Sequence, residues 1–168
     1  ISIVCGTSTV RISFTAALHA YLRVSDVRKV SVEGVGGHLC EDNARAGATS
    51  VLPEGPLAAA GPVDLAVRDV DGPVVVRDPL LGDLMVLAEG FADRVVWNPG
   101  AGHGLADLPD GAEREFVSVE PAALTPQRLA PGATATETVD APGLSATQHF
   151  AIVNPAPGQV PPPGLVWN

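Results

Sequence analysis

Prolines and glycines interrupt this chain so often that it cannot form long helices. The 168 residues include 16 prolines and 18 glycines, and both residue types disfavour helix interiors while they favour turns. Hydrophobic residues make up 46% of the chain, which is enough to build the core of one domain of this length. We therefore predict an all-β antiparallel sandwich over residues 1–153, followed by a Pro/Gly-rich tail at 154–168 that lies extended on the surface.

Short segments between turn signals, several of them rich in β-branched residues or with alternating polar and apolar side chains, indicate where the strands lie. The apolar content of residues 80–87 also fits a helix, but its short length and the nearby Gly82 and Gly90 favour a strand. These segments are residues 1–4, 9–14, 14–24, 27–33, 63–68, 74–76, 80–87, 94–98, 115–120, 127–129, 134–139 and 144–153. The first four are expected to form one antiparallel meander, because consecutive strands usually pair. The strand at 94–98 is expected to pair with the one at 80–87.

The connections between these strands carry their own signals. Asp71-Gly72 predicts a tight hairpin between the strands that flank it. Residues 40–62 lack a clear period and are interpreted as a long connection with a short edge strand near 50–52. Pro121 is expected to interrupt strand pairing, because proline has no backbone N–H.

The strand at residues 14–24 has two chemically different faces. Because side chains alternate across a strand, Leu18, Ala20 and Leu22 share an apolar face that suits the core. The opposite face carries an imidazole, a phenol and a guanidinium, from His19, Tyr21 and Arg23. These groups are costly to bury and are suited to binding a polyhydroxylated or anionic small molecule. We therefore place His19 at the centre of a candidate site.

A carboxylate on the strand at 115–120 is a second candidate. Val117 and Val119 point inward, so Ser118 and Glu120 occupy the other face. An imidazole and a carboxylate can donate a proton to one oxygen while removing a proton from another, if both reach the substrate. His19 and Glu120 are thus a candidate general acid–base pair. The alternatives are a structural histidine with satisfied hydrogen bonds and a solvated glutamate.

Charge and motif content exclude several classes of function. The net charge of −9, without any run of Lys and Arg, argues against a nucleic-acid partner. No apolar run reaches the roughly 18 residues of a membrane span and no leader opens the chain, so we expect a soluble cytoplasmic protein. Cys5 and Cys40 lack metal or disulfide spacing and are expected to be free and buried. The histidines outside the candidate site are too dispersed for a metal motif and are expected to be solvated, namely His38, His103 and His149.

Four motifs follow one another in order between about Ile12 and Pro131. They are FTAALHAYL at 14–22, VSDV at 24–27 with VSVEG at 30–34, VVWNP at 95–99, and DLPD at 107–110 with FVSVEP at 116–121. In order and spacing the set closely resembles the D-hexose-6-phosphate mutarotases. These are glucose-6-phosphate 1-epimerases of the aldose 1-epimerase superfamily.

The resemblance implies a galactose mutarotase-like β-supersandwich that uses neither a metal nor an organic cofactor. It implies that His19 protonates the ring oxygen of a hexose 6-phosphate and that Glu120 removes the proton of the anomeric hydroxyl. Asp64 lies where the family has an aspartate that holds sugar hydroxyls, although Leu65 replaces the family's usual arginine. Tyr21, Trp97 and Asn98 are assigned to substrate binding, and packing and turn capping are the alternative roles for the last two.

Family members also carry an N-terminal half with further strands and with the arginines that grip the phosphate. None of Arg11, Arg23 and Arg28 matches such a position. We therefore expect this chain to lack the N-terminal part of the sandwich, which a longer protein or another chain would supply. A catalytically inactive carbohydrate-binding or regulatory β-sandwich is the alternative function, and a purely structural sandwich is a third reading.

Overall fold

The computed structural model describes residues 2–5, 12–130, 135–140 and 146–153, and they form an all-β fold. Short 3₁₀ helices occur at Val27–Lys29, Asn43–Arg45 and Ala112–Glu115, and no α-helix occurs in the described ranges. The strands are β1 (Ser2–Cys5), β2 (Ile12–Arg23), β3 (Ser31–Glu33), β4 (Leu39–Asp42), β5 (Ala48–Val51), β6 (Leu57–Ala58), β7 (Val63–Val67), β8 (Val74–Arg77), β9 (Leu84–Glu89), β10 (Asp93–Asn98), β11 (Phe116–Leu129), β12 (Ala135–Asp140) and β13 (Ala146–Val153).

The strands form two antiparallel sheets, which confirms the predicted fold class. One sheet has six strands in the order β1-β12-β9-β8-β3-β6. The other has seven strands in the order β13-β2-β11-β10-β7-β4-β5. The predicted tail at 154–168 lies outside the described residues.

A valine-rich core is made by the inward faces of the strands. β-Branched side chains suit a pleated surface, and those that point inward exclude water from the interior. The core cluster includes Leu22, Val24, Val32, Val35, Val67, Val74, Val76, Val86, Val96, Val117 and Val119. The site strand β2 therefore has one face fixed by packing, which leaves its other face for chemistry.

Two predicted strand pairings are wrong, because sheet partners are chosen over long distances in the chain. The stretch predicted as a strand at 27–33 begins as a 3₁₀ helix, which Asp26 caps by accepting a hydrogen bond from the Arg28 N–H. The strand that follows, β3, pairs with β6 and β8 in the six-stranded sheet, so the first strands do not form one meander. Likewise β10 pairs with β7 and β11, and β9 pairs with β8 and β12.

The hairpin predicted at Asp71-Gly72 is also wrong, because β7 and β8 belong to different sheets. A type I′ turn needs positive φ at both central residues. In this connection Asp69, with φ of 53°, has the left-handed backbone instead. The chain here crosses from one sheet to the other.

The segment at 40–62 contains more structure than predicted. β4 and β5 form a hairpin around a 3₁₀ helix, and β5 lies at the edge of the seven-stranded sheet. Pro121 lies in a gap in the pairing of β11 with β2, which resumes at Ala122, as the interruption predicted for it requires. It does not end the strand, because β11 continues to Leu129 and pairs Pro121 with Arg94 of β10. No helix in the described part of the chain combines the length and apolar character needed to cross a bilayer.

A buried carboxylate connects the two sheets. Asp78, which is 4% exposed, follows β8 and accepts hydrogen bonds from the Ser25 N–H and hydroxyl at 2.6 and 2.7 Å. It also accepts from the N–H groups of Leu80 and Leu81 at 2.8 and 3.0 Å. Burial opposes ionisation of Asp78, but these donors outweigh it and lower its pKa to about 2.

We expect Asp78→Asn to lower the free energy of unfolding by about 1–3 kcal/mol at neutral pH, because an amide cannot accept from all these donors. The depressed pKa means that the carboxylate stabilises the fold above about pH 4 and loses this effect as the pH falls towards 2. Urea unfolding at several pH values measures both effects. Asp83→Asn is the matched control, because Asp83 lies in the same turn but is exposed. Equal stability of both variants at neutral pH would contradict this role.

Candidate active site

The outer face of the seven-stranded sheet brings most of the sequence-predicted site residues together. In the ladder, Tyr21 pairs with Ser118, Ser118 with Trp97, and Trp97 with Asp64. These positions form one row across β2, β11, β10 and β7. The alternation of strands places His19 and Glu120 in the adjacent row on the same face.

His19 and Glu120 are in direct contact although 101 residues separate them in the chain. Nδ1 of His19 hydrogen-bonds to Oε1 of Glu120. The pairing of β2 with β11 has the same register at Tyr21–Ser118 and at Ala17–Ala122, so Glu120 lies opposite His19. The two side chains are 18% and 8% exposed, so they are shielded yet open to the outside.

Aromatic rings surround the His19 imidazole. The Tyr21 ring meets it edge-on at a centroid distance of 4.6 Å, and the Trp97 ring lies at 5.2 Å. Phe116 stacks on Trp97 at 5.8 Å and meets the edge of Tyr21 at 4.9 Å. Desolvation, followed by the charges of Asp107 and Glu120, raises the pKa of Tyr21, so its phenol stays protonated and can donate a hydrogen bond.

Asp64 lies at the end of the row that is farthest from β2. It is half-buried, and its Oδ1 accepts a hydrogen bond from the Asn43 amide at 2.9 Å. Asp64 is three strands away from β2, which corresponds to about 14 Å at the usual strand spacing. It can therefore contact only the part of a ligand that extends away from His19.

Asn98 does not reach this face. It is 1% exposed, and its amide donates to the carbonyl oxygens of Glu113 and Phe116 at 2.8 and 2.9 Å. Its Oδ1 accepts from the Gly100 N–H. Gly61 packs so closely that a Cβ there would lie 2.6 Å from Asn98 Oδ1. Of the two roles considered for Asn98, the structure favours turn capping over substrate contact.

Three polar side-chain contacts were not predicted from the sequence. Ser118 was placed on the polar face, and its spacing of two from Glu120 was the available signal for a contact with that carboxylate. Asn43 falls in a segment interpreted as a connection. His103 was expected to be solvated, which is wrong, because its side chain is only 2% exposed and lies 3.9 Å from Glu113.

Two arginines supply positive charge near the site, and one of them is paired with carboxylates. Arg68 lies on the same face as Asp64 and forms ion pairs with Glu41 at 3.6 Å and with Asp93 at 3.7 Å. Arg23 is exposed at the end of β2, and no ion pair is assigned to it within the described residues. No group of three or more His, Cys, Asp and Glu residues in the described ranges is placed to hold a metal ion.

Comparisons with known proteins find relatives of one kind, although no family model matches the chain. An Escherichia coli (strain K12) protein provisionally named glucose-6-phosphate 1-epimerase is 32% identical over 111 residues, which cover 64% of this chain and 37% of the relative. A Cenchrus ciliaris protein with the same provisional name is 31% identical over 124 residues, which cover 71% of this chain and 38% of the relative. The chain thus spans well under half the length of these relatives.

Solved structures share the fold. A Salmonella typhimurium protein provisionally named as a mutarotase (YeaD) superimposes with a TM-score of 0.70 at 26% identity, covering 82% of this chain and 48% of that one. The crystal structure of HI1317 superimposes with a TM-score of 0.67 at 18% identity, covering 83% of this chain and 50% of that one. At that identity the second match supports the fold alone.

Proposed function

We propose that this hexose-6-phosphate mutarotase-like chain carries the acid–base centre that interconverts the α and β anomers of a hexose 6-phosphate. The observation that carries the proposal is the direct contact between His19 and Glu120 on an open sheet face lined by Tyr21 and Trp97. The names of the relatives supply the substrate class.

The chemistry requires an acid and a base side by side. The anomeric hydroxyl oxygen O1 and the ring oxygen O5 are bonded to the same carbon, C1, so the groups that serve them must be close neighbours. Glu120 removes the proton from O1 while His19 donates a proton to O5. The C1–O5 bond then breaks and C1–O1 becomes a carbonyl. An imidazole is suited to this role because it gains and loses its proton near neutral pH.

Anomerisation follows from rotation in the open-chain sugar. Turning about C1–C2 presents the other face of the carbonyl to the O5 hydroxyl. Ring closure returns the proton from O5 to His19 while Glu120 gives its proton back to O1. The cycle leaves both side chains as they began, so no external proton donor or oxidant is consumed.

Polarimetry of freshly dissolved α-D-glucose 6-phosphate tests the proposed function. We expect the approach to anomeric equilibrium to be faster with the 168-residue chain than in buffer alone, and the increment to scale with protein concentration. An unchanged rate would reject enzymatic activity for this chain.

A carbohydrate-binding or regulatory β-sandwich is the second candidate, and the short coverage of the relatives favours it. The chain spans only 37–38% of their length, so strands that complete the sandwich could come from a longer protein or from another chain. In this case the polarimetric rate stays at the buffer value, while NMR signals of Trp97 and Tyr21 shift when α-D-glucose 6-phosphate is added. If neither activity nor chemical-shift changes are observed, the remaining possibility is a purely structural sandwich.

We infer that groups outside these 168 residues hold most of the phosphate charge. Arg68 is paired with two carboxylates, the exposed Arg23 is the single guanidinium on β2, and the chain carries a net charge of −9. Running α-D-glucose beside α-D-glucose 6-phosphate in the same assay tests this inference. We expect the two sugars to have similar KM values. A much lower KM for α-D-glucose 6-phosphate than for α-D-glucose would contradict the inference.

Trp97→Ala tests the aromatic wall of the site. We expect KM to rise about five- to tenfold, because a contacting indole contributes about 1 kcal/mol beyond area burial. The turnover rate should change less, since the ring does not exchange protons. Trp97→Phe is the matched control and should retain most of the affinity, whereas an unchanged KM in Trp97→Ala would remove Trp97 from the binding surface.

A further inference from the structure

A buried hydroxyl lies against the proposed base. Ser118 is 0% exposed and precedes Glu120 by two positions on the same face of β11. Its Oγ lies 3.0 Å from Oε1 of Glu120 and 2.8 Å from the main-chain oxygen of Ala20 on β2. Oε1 is also the oxygen that contacts His19.

The hydroxyl has one proton and two acceptors for it. A serine hydroxyl donates a single hydrogen bond, and both a carbonyl oxygen and a carboxylate oxygen can accept it. When Glu120 is ionised, the charged oxygen is the stronger acceptor. When Glu120 is protonated, the Ala20 oxygen competes better and the hydroxyl can rotate towards it. Neither state leaves the buried Ser118 donor without an acceptor, which avoids the cost of an unsatisfied polar group.

We propose that Ser118 is a positioning residue that holds Oε1 of Glu120. By rotating its hydroxyl so that the O–H donates either to Glu120 or to the Ala20 oxygen, it also adjusts the basicity of this carboxylate. The kinetic consequence rests on the function proposed above, whereas the effect on the titration of Glu120 does not. Ser118 is too deeply buried to touch a ligand, so it acts through Glu120.

Removing the hydroxyl therefore has a specific signature. Ser118→Ala deletes a donor that favours the charged form of Glu120, so the carboxylate should protonate at higher pH. We expect the titration midpoint in the variant to lie above that of the wild type, since a hydrogen bond to the carboxylate stabilises its charged form. In a catalytically active protein, kcat should fall about tenfold because Oε1 loses the contact that fixes its position, and the acid limb of the pH profile should move up, with KM nearly unchanged.

Carbon-13 NMR titration of the Glu120 side-chain carboxyl, with the signal assigned by its loss in Glu120→Gln, is the deciding experiment. Wild type, Ser118→Cys, Ser118→Ala and Ser25→Ala are compared. Ser118→Cys keeps a weaker donor and should lie between wild type and Ser118→Ala. Ser25→Ala is the matched control, because the Ser25 hydroxyl also donates to a buried carboxylate, at Asp78, 2.7 Å away and outside the site.

The outcomes separate the possibilities. A midpoint raised in Ser118→Ala, intermediate in Ser118→Cys and unchanged in Ser25→Ala supports the proposal, whether or not the wild type anomerises sugar. An unchanged midpoint in a folded Ser118→Ala, or in a folded Ser118→Cys if the alanine variant does not fold, overturns it and leaves a purely structural serine. Absence of activity in wild type would reject the proposed function alone.

Discussion

Glu120→Gln should slow the anomerisation of α-D-glucose 6-phosphate by about 100- to 1,000-fold. Positioned proton transfer typically contributes about 10²–10⁴ in rate, and a neutral amide cannot accept the proton of the anomeric hydroxyl. Glutamine has nearly the shape of glutamate and can still accept from Ser118 through its amide oxygen. The loss should therefore appear in kcat, with the fold intact.

Polarimetric initial rates measure this effect, and circular dichroism and urea unfolding verify the fold. Glu115→Gln is the matched control, because Glu115 is exposed in the 3₁₀ helix just before β11. A folded Glu120→Gln variant that keeps nearly the full rate would show that the carboxylate is not the base.

His19→Asn should reduce the rate by a similar factor, about 100-fold or more, for a complementary reason. Asparagine cannot donate a proton to the ring oxygen and regain it in each cycle. The change also removes the contact with Oε1 of Glu120 and the ring that Tyr21 and Trp97 flank. A smaller rise in KM should therefore accompany the loss of kcat.

His38→Asn provides the control for His19→Asn. Its Nδ1 contacts the main-chain oxygen of Arg68 at 3.2 Å, so it is also a half-buried histidine, but His38 precedes β4 and is outside the aromatic cluster. We expect this variant to keep the wild-type rate. If His19→Asn does so too, the proton donor must be another group.

The site strand could be predicted from the sequence because its signal is local. A period of two places His19 and Tyr21 on one face of the strand and Leu18 and Leu22 on the other. This follows from the pleat of one strand alone. His19 and Glu120 could be proposed as a pair because each lies on the polar face of an apolar-backed strand, and the resemblance then assigned their separate roles. That they touch across 101 residues could not be predicted from any local pattern.

The sheet partners could not be predicted, because they depend on contacts between distant segments. Asp71-Gly72 has the composition of a hairpin turn, yet the strands on either side belong to opposite sheets. Pro121 remains inside β11, because its strand still pairs with β10 and recovers its pairing with β2 one residue later. Neighbouring strands thus overrode the local preferences of turn and proline residues.

The side-chain contacts around the site could not be predicted from the sequence either. Asn98 follows Trp97 in a family motif, so sequence similarity alone grouped the two, whereas the end of β10 turns Asn98 into the loop. The role of Ser118 depends on the Ala20 oxygen, a main-chain atom of another strand. Such contacts appear only once the register is known.

Magnetisation-exchange NMR on an equilibrated mixture of α- and β-D-glucose 6-phosphate tests the acid–base account most directly, because it reports anomer exchange without any net reaction. The account predicts exchange cross-peaks between the two anomeric protons that grow with the concentration of the wild-type chain and fall to the buffer level in Glu120→Gln. Exchange at the buffer rate with wild-type protein, or equal exchange in Glu120→Gln, would contradict it.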